Sequence, residues 1–232
     1  MPIRVAVIDS GVHARHRHVG GVSGGIGVDE QARLHADYVD RLGHGTAVTA
    51  VIKEKAPDAE LYAVKVFDRA LATSIRALVA AIEWAAAEGM RLANLSLGTS
   101  RQEHEGALRE AIQRAGERGL TIVSARDESG VRWLPGSLPG VVPVQLDWTC
   151  PRDGCRAAVA DGVLVFRASG FPRPIDGVPP ERNLNGISFA VANMTGVIAR
   201  RWQDMPDAGL AAVIEKVVQE ATPRDTKARR KM

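Results

Sequence analysis

Three polar residues are each set among glycines and other small residues, and together they could do chemistry. Asp9 closes an apolar run in VIDSGV, His44 opens a small-residue stretch in GHGTAVTAVI, and Ser188 opens another in NGISFAVANMTG. A serine hydroxyl is a poor nucleophile until a base takes its proton. Histidine does that near neutral pH, and a carboxylate fixes its tautomer and supports the imidazolium. Singly, Asp9 reads equally as a turn former or cap, His44 as a core histidine and Ser188 as an N-cap. As a set they point to acyl transfer by an activated serine.

The elements around them are expected to alternate. IRVAVI (3–8), LYAVKVF (61–67), RLANLSLG (91–98), LTIVSA (120–125), VVPVQL (141–146) and GVLVFRAS (162–169) read as buried strands. The stretches 74–89, 102–119, 187–202 and 206–221 carry apolar residues at helical spacing, the first two closed by Gly89 and Gly119. Strands buried on both faces and separated by helices predict an α/β fold with a mostly parallel sheet. Such a sheet places Asp9 at its carboxyl edge. A helix start gives His44 and Ser188 free backbone N–H groups nearby, and the Ser188 amide is one donor for a developing oxyanion. GGVSGGIG (20–27) does not lie between a strand and a helix start, so a surface loop is expected there rather than a phosphate cradle.

With 45% hydrophobic and 25% charged residues, the 232-residue chain suits one globular domain, expected over 1–222. A basic tail, 223–232, is expected to be disordered. The 30 basic and 27 acidic residues are mixed along the chain, without the basic stripe that nucleic-acid binding requires. No run is long enough to span a membrane, and no secretory or prosegment pattern precedes the first strand, so a cytoplasmic location is expected. Cys150 and Cys155, in CPRDGC, supply two metal ligands at most. Reduced thiols in a turn are the expectation, with a local disulfide as the rival. His13, His16 and His18 in HARHRH lack a partner carboxylate or cysteine in a known metal spacing and read as a basic surface loop. Asp37 and Asp40 read as solvated loop residues. No metal and no cofactor are expected.

The chain order Asp, His, Ser and the segments around it resemble the subtilisin-like serine proteases, the subtilase family. VIDSGV is similar to the family's aspartate segment and HGTAVTAVI to its histidine helix. APDAELYAVKVFD (56–68) is similar to the strand that follows, and NLSLG (94–98) to the strand that pairs with substrate. WLPGSLPGVVPV (133–144) and NGISFAVANMTGVIA (185–199) resemble the segment before a late sheet strand and the serine helix. The resemblance covers most of residues 3–200. It implies a three-layer α/β/α fold, with Ser188 as nucleophile, His44 as general base and acid, and Asp9 as the residue that orients it. It also implies a peptide substrate extended along Leu95, Ser96, Leu97 and Gly98, held by main-chain bonds, and Ala125, Arg126 and Trp133 as further substrate contacts.

Four departures qualify that implication. In SARDESG (124–130), Arg126 falls where the family has glycine, and Asp127 where it has the asparagine of the oxyanion hole. An ionised carboxylate has no proton to give, and losing one such donor typically costs about 10²–10³ in turnover. Protonation of Asp127, a bridging water or neutralisation by Arg126 would each restore function, and one branch of the proprotein convertases carries Asp there and remains proteolytic. Ile187, Ala192 and Asn193 replace Thr and a Pro-His pair in the serine helix and read as packing changes. Only KEK (53–55) separates the histidine helix from APDAELYAVKV, leaving no room for the family's calcium loop. Finally, Trp133 falls near a customary glycine, which predicts a shallow specificity pocket favouring a small residue before the scissile bond; packing of Trp133 into the core is the other reading. Two functions follow from these features. One is an intracellular endopeptidase that matures a dedicated precursor, with a partner protein in that processing system. The other is an impaired pseudoprotease that binds peptides as a scaffolding subunit.

Overall fold

β1 (Arg4–Asp9) is buried along nearly its whole length, and its period of two sends Val5 and Val7 to one face and Ala6 and Ile8 to the other. In the computed structural model, which describes residues 2–221, a two-sided core is built around this strand. The chain continues through β2 (Gly24–Val28), β3 (Leu34–His35), α1 (His44–Lys55), β4 (Glu60–Lys65), α2 (Ile75–Ala87), β5 (Leu92–Leu95), α3 (Glu105–Glu117) and β6 (Thr121–Ala125). A short hairpin, β7 (Asp127–Glu128) and β8 (Val131–Arg132), leads to β9 (Val141–Leu146), β10 (Arg156–Ala160) and β11 (Val163–Ala168). Helices α4 (Ile187–Asp204) and α5 (Leu210–Glu220) follow. The tail expected over 223–232 lies outside the described residues.

The main sheet has nine strands in the order β10-β11-β9-β6-β5-β1-β4-β2-β3. Its pairs are parallel except β10 with β11 and β2 with β3, the outermost pairs at its two edges. Helices α1, α4 and α5 contribute to the core on the Val5–Val7 face, and α2 and α3 to the core on the Ala6–Ile8 face. The architecture is therefore a three-layer α/β/α sandwich on a mostly parallel sheet. From β4 the chain crosses β1 to β5, and later strands add outward from there. Ligands bind outside the carboxyl ends of strands at such a reversal, and here those ends belong to β1, β5 and β6.

Two stretches differ from expectation. The glycine-rich 20–27 contains most of β2, not only a loop. A Cβ on Gly25 would stand 2.5 Å from the Ala63 carbonyl, and one on Gly27 would overlap the His35 ring, so glycine is what lets this strand pair. β10 was not expected. It is the outer arm of a hairpin turning at Asp161 (φ 52°) and Gly162 (φ 75°), a two-residue turn in which both positions are left-handed.

Candidate active site

Asp9 ends β1 fully buried. Its Oδ1 accepts the Ser10 backbone N–H at 2.7 Å and lies 2.7 Å from His44 Nδ1. His44 is the first residue of α1, with its side chain 16% exposed, so one ring edge is held by the carboxylate while the ring still reaches the surface. Burial pulls the imidazole pKa down. The hydrogen bond and charge of Asp9, with the charge of Asp40 added, outweigh that and hold it above the ordinary 6.5. The Phe189 ring from α4 packs beside it, centroids 5.9 Å apart.

Ser188 is the second residue of α4, in a first turn whose amides have no intrahelical acceptor. Its hydroxyl donates to the Ser96 carbonyl at 3.2 Å and makes no bond to His44. Catalytic hydrogen bonds are often formed only once substrate is bound. Both side chains line one cavity of about 230 Å³. The helix start is tied to β5 beneath it. Leu92, Asn94 and Ser96 share one side of their strand, facing α4. Asn94 Nδ2 donates to Ser96 Oγ at 2.9 Å, and Ser96 Oγ donates to the Ser188 carbonyl at 2.9 Å. The Thr195 hydroxyl closes the network 3.0 Å from Asn94 Oδ1. Asn94 and Thr195 are fully buried, so this polar chain fixes where the serine stands.

Ser96, Leu97 and Gly98 line the cavity, as do Ala125 and Trp133. Trp133 is placed by backbone bonds on two sides. Its N–H donates to the Arg126 carbonyl at 2.8 Å, and the adjoining Leu134 exchanges two 2.9 Å bonds with Thr99. A Cβ on Gly136 would stand 1.9 Å from the Ala125 carbonyl, so this segment presses directly on the end of β6. Trp133 thereby packs against Gly98 and lines the cavity.

The side chains of two expected substrate contacts and of the expected oxyanion-hole position lie elsewhere. Leu95 belongs to the α2–α3 core, because strand alternation turns it away from α4. Arg126 reaches the β10–β11 turn, bonding the Ala160 carbonyl at 3.4 Å and the Asp161 carboxylate at 2.6 Å. Asp127 Oδ1 accepts from Gln145 Nε2 at 2.7 Å, and its Oδ2 lies 3.4 Å from Arg126 Nε. Its carboxylate thus lines an adjoining cleft with Gln145 and Arg167 rather than the cavity of His44 and Ser188.

Asp37 is the partly exposed loop residue expected, but Asp40 is not solvated. Asp37 pairs with Arg41 at 2.8 Å and with Lys65 at 3.4 Å. Asp40 is buried against the start of α1. The chain spacing around Asp40 does not declare its burial, since Ser10, which follows β1, and Thr46 of α1 close over it in the fold. Cys150 and Cys155 are free and buried; burial pushes both thiols up, Cys155 to about 12, which leaves them weak nucleophiles. His13, His16 and His18 surround a separate cavity between α1 and the segment 172–184.

A subtilase-family model matches residues 2–138. That is more than half of the chain. The protein belongs to the subtilase family. This subtilase is 33% identical to the thermostable alkaline protease of Halalkalibacterium halodurans, over 94% of its own length and 62% of that protein's. It is 33% identical to the minor extracellular protease Epr of Bacillus subtilis, over 55% of its length and 20% of Epr's. The chain thus spans less than two thirds of these curated relatives. Among solved structures, a cold-adapted subtilisin-like serine proteinase matches with a TM-score of 0.74 at 21% identity, covering 97% of this chain and 84% of that one. Sphericase matches with a TM-score of 0.71 at 21% identity, over 94% and 82%. The family model stops before Ser188, but the fold brings Ser188 to the cavity that His44 lines.

Proposed function

We propose that this subtilase is a serine endopeptidase. The observation that carries the reading is the 2.7 Å contact of buried Asp9 with His44, whose ring shares a cavity with Ser188 beside an open strand end at Ser96–Gly98. A peptide laid along Ser96–Gly98 presents its carbonyl carbon to Ser188 Oγ. The hydroxyl attacks and His44 Nε2 takes its proton, while Asp9 steadies the imidazolium through Nδ1–H. The carbonyl oxygen becomes an oxyanion facing the Ser188 amide. His44 then returns the proton to the leaving amine, and the C–N bond breaks to leave an acyl-serine. Water, deprotonated by His44, attacks that ester and releases the acid and free serine.

Trp133 supplies the specificity in this reading. Trp133 lines the cavity beside Gly98, and in this reading its ring narrows the space for the residue before the scissile bond and selects a small one. Narrow selection suits maturation of a dedicated precursor, which a partner protein in the same processing system would present. Two free buried thiols five residues apart suit a reducing cytoplasm. Among the described residues no helix is long and apolar enough to cross a membrane. Cleavage profiling of a peptide library tests the assignment. The expected result is cuts after Gly, Ala or Ser, abolished by Ser188→Ala and broadened to larger residues by Trp133→Gly. A wild-type preference for aromatic residues at that position would refute the role of Trp133.

One observation favours a second reading. The Asp127 carboxylate is occupied by Gln145 and Arg126 and offers no donor to an oxyanion. On that reading the protein binds extended peptides along Ser96–Gly98 without turning them over. Peptides retained but uncut by wild type would support it.

A further inference from the structure

We infer that Asp40 is a positioning residue for His44: its buried carboxylate sets the start of α1 and couples it to the end of β1 that carries Asp9. Its kinetic consequences rest on the endopeptidase reading.

Helix α1 opens without a cap of its own, since Gly43 at the N-cap is left-handed (φ 82°) and has no side chain. Asp40 fills that role from three residues upstream. Its Oδ1 accepts the backbone N–H groups of Leu42 and Gly43, each at 2.9 Å, and the Ser10 hydroxyl at 2.8 Å. Its Oδ2 accepts the Thr46 N–H at 2.9 Å and the Thr46 hydroxyl at 2.6 Å. Five donors satisfy the carboxylate, and a negative charge is favoured at a helix N-terminus. Burial pushes the Asp40 pKa up, but the Thr46, Leu42 and Ser10 bonds outweigh this and hold it below the ordinary carboxylate value.

Ser10 is the coupling element. It donates to Asp40 while accepting the Gly45 N–H at 2.9 Å. Its own N–H donates to Asp9 Oδ1, the same oxygen that holds His44. Asp40, Ser10, Asp9 and His44 are thus joined by hydrogen bonds across the β1–α1 contact, and the backbone from Gly43 to Thr46, which Asp40 holds, closes the circuit. Little slack exists in it, because a Cβ on Gly45 would stand 2.2 Å from the Gly11 carbonyl. Small misplacements of a catalytic group can cost about 10² in rate. The charged groups facing His44 are Asp9 from β1 and Asp40 from the preceding loop, while α4 presents the uncharged Phe189 ring.

The test uses the full chain with Asp40→Asn, which keeps the volume but removes the charge and leaves Thr46 facing an amide. His44 is followed by NMR titration of its ring Cε1–H and by its Nδ1–H resonance, neither of which needs turnover. Asp40→Asn should lower the His44 titration midpoint and broaden the Nδ1–H signal. In parallel, kcat should fall about 10–10²-fold with KM within about twofold, and the acid limb of kcat/KM should move to lower pH. Ser10→Ala keeps the charge and cuts the circuit, so it should broaden the Nδ1–H signal and lower kcat with a smaller shift in midpoint. It serves as the readout if Asp40→Asn fails to fold. An unchanged His44 midpoint and Nδ1–H signal in the folded variants would overturn the inference. These NMR responses in the variants, with no hydrolysis by wild type, would instead overturn the endopeptidase reading alone.

Discussion

In the proposed hydrolysis His44 acts as a base only when neutral, and its partners favour the charged form. Its pKa is held above the ordinary 6.5, so kcat/KM should fall as pH drops through a value above 6.5, not below it. The same shift affects stability with the opposite sense. A raised imidazole pKa means that the native state binds the proton more tightly. That contribution is fully present below about 6.5 and is lost as pH rises through the native value. Urea titrations of wild type and His44→Gln across pH 5–8 should therefore converge toward alkaline pH as hydrolysis by wild type increases. Asp127 gives a second residue-scale expectation. Its carboxylate is held by Gln145 and Arg126 outside the cavity of His44 and Ser188, so Asp127→Asn should leave kcat within about twofold across pH. A rise of about 10-fold or more near neutral pH would show instead that this side chain turns into the oxyanion environment. The chain position of Asp127 could be read from SARDESG, but the direction of its side chain could not. That direction is set by Gln145 and Arg126 together, and Gln145 lies on a separate strand. Asp40 was illegible for the same reason, since what removes it from water is a hydroxyl on β1's end and the first turn of α1.

At the scale of elements, the serine is positioned by the packing of α4 on α1 and β5. The α1–α4 contact passes over Gly196, where an added Cβ would lie 2.8 Å from Lys55 Cβ. Gly196→Ala should destabilise by about 1–3 kcal/mol through overpacking. Gly116, in the exposed part of α3, has nothing within 4 Å of an added Cβ. Gly116→Ala should stabilise by about 0.5–1 kcal/mol through helix propensity. Chemical denaturation of the two variants checks the contrast, and two similar effects would contradict the packing described. The buried central strands and amphipathic helices could be read from the chain because their apolar periodicities are strong. β2 and β10 could not. β2 is mostly glycine, and its pairing depends on close approach to β4 and β3. β10 alternates weakly over only five residues at a sheet edge, although the Asp161-Gly162 pair was a hairpin signal in plain view.

Across the whole molecule, both cores converge on the carboxyl ends of β1, β5 and β6, and the polar residues gather there. One charge is buried away from that centre. Burial, and then the Arg152 charge, lower the Lys55 pKa to about 8. A lysine depressed on folding binds its proton more weakly in the native state. Stability should therefore rise with pH between about 8 and 10.5. Lys55→Met should stabilise at pH 7 by about 1–3 kcal/mol and flatten that rise, as thermal unfolding would show. The global arrangement, with His44 and Ser188 on one cavity and Asp9 buried behind His44, was the most legible feature of the chain. Each residue stands at the end of an element whose type its neighbours declare. The most direct test of the account is intact-mass analysis after fluorophosphonate treatment at neutral pH. Wild type should gain one adduct, mapped to Ser188, and Ser188→Ala should gain none. Folded wild type that stays unlabelled between pH 5 and 8, or is labelled at another residue, would contradict it.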